Sequence, residues 1–176
     1  NKAVSGNEAT WSYKMNQPMS SYLLMLAIGK YAHKIEKSNS NVPIENHYIP
    51  TDASKYNNTY EFTARMMDIL EKQIGVNYPW EIYRNIPATD FMYSGMENTT
   101  STLFNQSFVV DNIAKNDKSY VNVNAHEMAH QWFGNMITAK NIEDHWLQEG
   151  FSTYYALLVE RELYGVDHFY WELYEM

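Results

Sequence analysis

The chain of 176 residues contains no cysteine. That absence excludes a disulfide framework, a thiolate zinc site and a thiol nucleophile together. Basic charge is scarce as well: 13 Lys plus Arg stand against 21 Asp plus Glu, a net charge of -8. Such a chain has no cationic surface to neutralise phosphates, which argues against nucleic acid or an anionic membrane as its partner. Long apolar runs are missing too. The longest, Tyr22 to Gly29, falls far short of the roughly 18 residues that a membrane span needs, and it reads as a buried strand. What is present is a globular composition, 45% hydrophobic and 15% aromatic. At roughly 100 to 200 residues per domain, the length suits one domain or one and a piece.

The ends carry their own reading. Asn1 is no initiator, and the chain stops inside Tyr170-Trp171-Glu172-Leu173-Tyr174-Glu175-Met176 with no Gly, Pro or cap, so a fragment is expected. A missing leader is then uninformative, and the compartment stays unknown. Strands are predicted at Thr10 to Met15, Ser20 to Ile28, Asn46 to Ile49 and Glu81 to Ile86, with one or two more between Thr99 and Val110, interrupted near Asn105. A helix is predicted from a capping box at Asn58 and Glu61 to Gly75, with Phe62, Met66, Ile69, Leu70 and Ile74 at helical spacing. A second carries Val121, Ala125, Met128, Ala129 and Trp132 until Gly134, and a third runs from about Trp146 to Leu163 with Gly165 as its stop.

The second of these helices contains His126-Glu127-Met128-Ala129-His130, the pattern His-Glu-x-x-His. Positions i and i+4 stack on one helix face, so both imidazoles can reach one ion at about 2.0 to 2.1 Å while Glu127 points beside them. Glu127 is then placed to take a proton from metal-activated water without binding the metal itself. A catalytic zinc site needs a third ligand and an open position, and Glu149 follows on the next helix after 18 intervening residues. Motif and third carboxylate together arise by chance on the order of once per thousand chains of this composition. The metzincin version fails, because Phe133 and Met136 stand where it needs Gly and His. His145, four residues before Glu149, is an alternative ligand, and Glu143 and Asp144 are candidate partners for a liganding imidazole. His33, His47 and His168 have no partner pattern and read as surface or core residues.

Upstream lies Ser94-Gly95-Met96-Glu97-Asn98 in a turn-to-strand context. This word, then His-Glu-x-x-His, then Glu149, resembles the aminopeptidase N and leukotriene hydrolase family of zinc gluzincins. His130-Gln131-Trp132-Phe133-Gly134-Asn135, Trp146-Leu147-Gln148-Glu149-Gly150-Phe151 and Ser21-Tyr22-Leu23-Leu24 are similar to further family words. Ser94 stands where the family usually has Gly, and Gln148 where it has Asn. Thr99-Thr100 moves the likeness toward the leukotriene hydrolase branch.

The resemblance implies an α+β fold: a thermolysin-like zinc peptidase lobe, with a mixed sheet packed on the helices that carry the motif. The last strands of an N-terminal β domain would precede it. Residues 1–45 would be those strands, and 46–176 the N-terminal part of the catalytic domain. It further implies a zinc aminopeptidase removing N-terminal residues from peptides. His126, His130 and Glu149 would hold one Zn2+, Glu127 would be the general base, and Gly95, Met96, Glu97 and Asn98 would bind substrate. Glu97 would pair with the free α-ammonium, a charge-assisted contact that an internal peptide bond cannot make. The alternatives are an epoxide or lipid hydrolase of the leukotriene hydrolase type and a non-catalytic binding module. The family's oxyanion-stabilising tyrosine lies downstream of this chain, so the isolated 176 residues are expected to turn over peptides poorly.

Overall fold

The computed structural model describes residues 2–175. Strands β1 (Lys2–Ser5) and β2 (Glu8–Trp11) form an exposed antiparallel hairpin of their own. The main sheet has five strands in the order β3 (Ala32–Lys37), β4 (Pro43–Tyr48), β5 (Tyr83–Ala88), β7 (Ser101–Asn105) and β6 (Gly95–Met96). It is mixed: β4, β5 and β7 run parallel, while β3 and β6 close the two edges antiparallel. A parallel step needs a crossover, and α1 (Tyr56–Tyr60) with α2 (Thr63–Ile74) supplies the one between β4 and β5. The remaining helices are α3 (Val121–Ala129), α4 (His145–Tyr164) and α5 (Val166–Glu175).

The core forms where α2, α3 and α4 cover one face of the sheet. Met66, Met67 and Leu70 of α2, Ala125, Met128 and Ala129 of α3, and Ala156 and Val159 of α4 meet Ile44 and Tyr83 of the sheet, all buried. The spacing of three and four that predicted α2 is therefore the spacing of its buried face. Gly75 ends that helix at φ 76, a left-handed conformation that costs a residue without Cβ nothing. Just past α3, Trp132 is fully buried, donates from Nε1 to the Val76 carbonyl at 3.1 Å and meets Tyr78 edge-on. Trp132→Ala would open a cavity and orphan that carbonyl. It is expected to destabilise the protein by about 3–5 kcal/mol, measured by urea denaturation.

Several expectations are corrected. Tyr22 to Gly29 is no buried strand: Ser21–Leu23 is a 3-10 turn, and Leu24, Leu26 and Ile28 are 75%, 79% and 86% exposed. An extended run becomes a strand only where a neighbour takes its backbone hydrogen bonds, and none of the described strands pairs with it. The Asn58–Glu61 capping box does not start a helix either. The chain breaks at Phe62, whose φ is -116, and α2 begins after it without a side-chain cap. Strand β5 runs through Pro87 and is not ended by it. Apart from these corrections, residue 45 lies inside β4, and the same sheet extends back to Ala32 through β3.

Candidate metal centre

Helix α3 presents His126 and Glu127 to an open cleft and ends at Ala129, and His130 follows directly as its C-cap residue. Helix α4 packs closely on α3 and brings Glu149 from its first turns to the same point. The three donor atoms form a small triangle. His126 Nε2 and His130 Nε2 are 3.0 Å apart, and Glu149 Oε2 lies 3.4 Å from the first and 3.5 Å from the second. Four ligands at 2.0 to 2.1 Å around a tetrahedral zinc ion lie about 3.3–3.4 Å from one another, so this triangle has the dimensions of one face of such a site.

The chemistry of the donors fits as well as their spacing. His130 Nδ1 is 2.8 Å from the Phe133 carbonyl, which can only accept, so Nδ1 carries the proton and Nε2 keeps its lone pair. His126 Nδ1 faces Thr153 Oγ1 at 3.4 Å. Gly134 allows the turn beneath His130: its φ is 129, and a Cβ there would press on His130 Nδ1 at 3.2 Å. Two imidazole lone pairs and a carboxylate converging on one point demand positive charge. The two imidazoles hold the Glu149 carboxyl well below the usual carboxylate range. Burial would lower the pKa of His130, but the hydrogen bond that a protonated Nε2 would donate to Glu149, and the charges of Glu97, Glu127 and Glu149, outweigh burial and raise it, so the point that draws a metal also draws a proton.

Glu127 stands beside this triangle and outside it. It is buried, and burial first, then the nearby charges of Glu97 and Glu149, push its carboxyl up to about 8, with His130 opposing. Gly95 of β6 lies directly against it, and a Cβ at that position would run into the carboxylate. Glu97, Glu127 and His130 also bring one donor atom each within 4.8 Å of one another. Gly95, Met96 and Glu97 border the cleft opposite α3. Glu97 is 8% exposed, and its carbonyl is fixed by Asn135 Nδ2 at 2.7 Å and Gln131 Nε2 at 3.3 Å. Gln131 also receives the Thr100 amide at 2.9 Å, holding that β-branched residue at φ 67.

Of the residues read from sequence, His126, Glu127, His130, Glu149, Gly95, Met96 and Glu97 meet around one cleft. Asn98 is turned away, with its amide donating to the Leu23 carbonyl at 3.1 Å. His145 does not join the cluster: its ring packs on Tyr22 with centroids 5.9 Å apart. Asp144 pairs with Asn141, while His168 faces Glu160 and Glu172. Sequence reasoning missed Thr153, Gln131 and Tyr22. Thr153 carried a signal, since it lies four residues after Glu149 and so on the same face of α4. The other two act through contacts that no periodicity announces.

The α+β frame carries His-Glu-x-x-His at the end of one helix and a third carboxylate from the next, the donor pattern of the zincin motif. Residues 58–176 match the family model described as the peptidase family M1 domain, and the chain belongs to that family. Aminopeptidase B of Rattus norvegicus is 34% identical over 89% of this chain and 23% of its own length. Leukotriene A-4 hydrolase of Xenopus laevis is 31% identical over 92% of this chain and 25% of its own length. Glutamyl aminopeptidase of Homo sapiens is 28% identical over 89% of this chain and 16% of its own length. The chain thus spans about a sixth to a quarter of the relatives it matches. Among the described residues no helix is long and apolar enough to cross a membrane.

Proposed function

We propose that the full-length protein carrying this chain is a zinc-dependent aminopeptidase. His126, His130 and Glu149 hold one zinc ion in a thermolysin-like lobe, and Glu127 is the general base. The observation that carries this reading is the donor triangle of 3.0, 3.4 and 3.5 Å with its lone pairs turned inward. The names of the relatives support the peptidase activity. When bound, the ion polarises the scissile carbonyl and makes water a stronger acid. The proton transfers and the placing of the substrate amine fall to side chains of this chain. Glu127, whose carboxyl the nearby cation would draw back toward its ionised form, takes a proton from the attacking water and passes it to the leaving amine.

Glu97 sets the register by pairing with the substrate α-ammonium, which places the first peptide bond at the metal. The free edge of β6 at Gly95 and Met96 offers backbone groups for the substrate to pair with as an added strand. Replacing Glu97 by glutamine is expected to raise KM for a free-amine dipeptide amide far more than for its N-acetylated form, erasing the preference between them. Steady-state kinetics on both substrates measures this. An unchanged preference would remove the anchor role.

A second reading, hydrolysis of an epoxide or lipid with the same zinc, draws on the 31% identity to leukotriene A-4 hydrolase. Assaying an epoxide fatty acid beside the peptide separates the two. A non-catalytic module would have no use for Glu127 beside three ligands. Within the same reading, we place the division from the preceding β domain upstream of β3, because β3 and β4 share one sheet.

A further inference from the structure

Resting on the zinc reading above, we propose that Tyr22 and Gln148 are positioning residues for the Glu149 carboxylate. Glu149 needs outside help to stay in place. Its side chain is 55% exposed, and among the described residues its polar partners are the two imidazoles alone. The helix that carries it starts without a side-chain cap at Asp144. One residue before Glu149, Gln148 is 3% exposed and spans two fixed points. Its Oε1 accepts the Ala139 amide at 2.8 Å, and its Nε2 donates to the Tyr22 hydroxyl at 3.3 Å.

Tyr22 is itself pinned from both sides. Ser20 Oγ lies 3.5 Å from Thr138 Oγ1, and the Leu23 carbonyl accepts from Asn98 at 3.1 Å, with Leu23 1% exposed. The Tyr22 ring rests on His145, in the first turn of the same helix. The turn Ser21–Leu23 therefore ties the segment carrying Glu97 and Asn98 to the start of α4. It fixes how far the amine anchor stands from the third ligand. Both ends of the Gln148 carboxamide are thus in use, and losing them frees the start of α4 from the Tyr22 turn.

The test uses the full-length protein as wild type, Tyr22→Phe, Gln148→Met and the double variant. Zinc affinity is read by competition with a chromogenic chelator, and melting temperature is measured with and without zinc. Each single variant is expected to weaken zinc binding about tenfold, the lower end of what ligand-orienting partners contribute. The double variant should bind no more weakly than the weaker single, because one hydrogen bond is being broken twice. The melting temperature should fall further with zinc than without it, beyond the loss that one buried hydrogen bond costs the metal-free protein. Unchanged zinc affinity in Tyr22→Phe would overturn the proposal, as would multiplied effects in the double variant. So would an equal loss of melting temperature with and without zinc, which would mean a structural role only. A wild-type protein that binds no zinc would instead overturn the zinc reading beneath it.

Discussion

Replacing Glu127 by glutamine in the full-length protein is expected to lower peptide turnover on the order of 10²–10⁴-fold, the usual contribution of a positioned proton acceptor, while zinc stays bound. The two outcomes separate because Glu127 lies outside the donor triangle formed by His126, His130 and Glu149. Glutamine has nearly the same shape, so the buried pocket against Gly95 is refilled and not collapsed. What disappears is an oxygen able to carry a proton between water and amine. Turnover measured alongside zinc content decides the matter. If activity and zinc fell together, Glu127 would be acting on the metal and the base role would fail.

His130→Ala is expected to take zinc from about one ion per chain to almost none after dialysis, and activity with it. Of the three donors His130 is the most constrained, being 1% exposed and held by the Phe133 carbonyl at 2.8 Å. Removing a partner that merely orients a ligand weakens metal binding roughly 10–100-fold, and removing the ligand itself must exceed that. Alanine also leaves the Phe133 carbonyl without the imidazole N–H that it accepts. Atomic absorption on the dialysed variant supplies the check. Full zinc occupancy there would mean that the triangle has been misassigned.

The meeting of His126, His130 and Glu149 was legible in the sequence because both of its parts are local. Two imidazoles four residues apart need only a helix beneath them, and Glu149 needs only a second helix that returns. The fold was less readable for the opposite reason. Tyr22 to Gly29 has the composition of a strand, but a strand is defined by its neighbour, and no described strand pairs with it. Strand β3, Ala-His-Lys-Ile-Glu-Lys, was overlooked because an edge strand alternates weakly and carries lysines. Helix α3 ends at Ala129, not at Gly134, because residues 130 to 137 turn back through the Asn135 to His130 and Ile137 to Trp132 backbone bonds. The orientation of Asn98 toward Leu23, and the reach of Gln148 to Tyr22, are tertiary facts with no trace in local spacing.

The bond from the Thr100 amide to Gln131 has a bearing on how the site comes into being. Thr100 sits in a backbone conformation that a β-branched residue avoids, and only a docked α3 segment delivers the amide that holds it there. The shape of the loop bearing Glu97 therefore depends on the segment that follows the histidines: Gln131 and Asn135 hold it, and a change that loosens either one would be felt on both sides of the cleft.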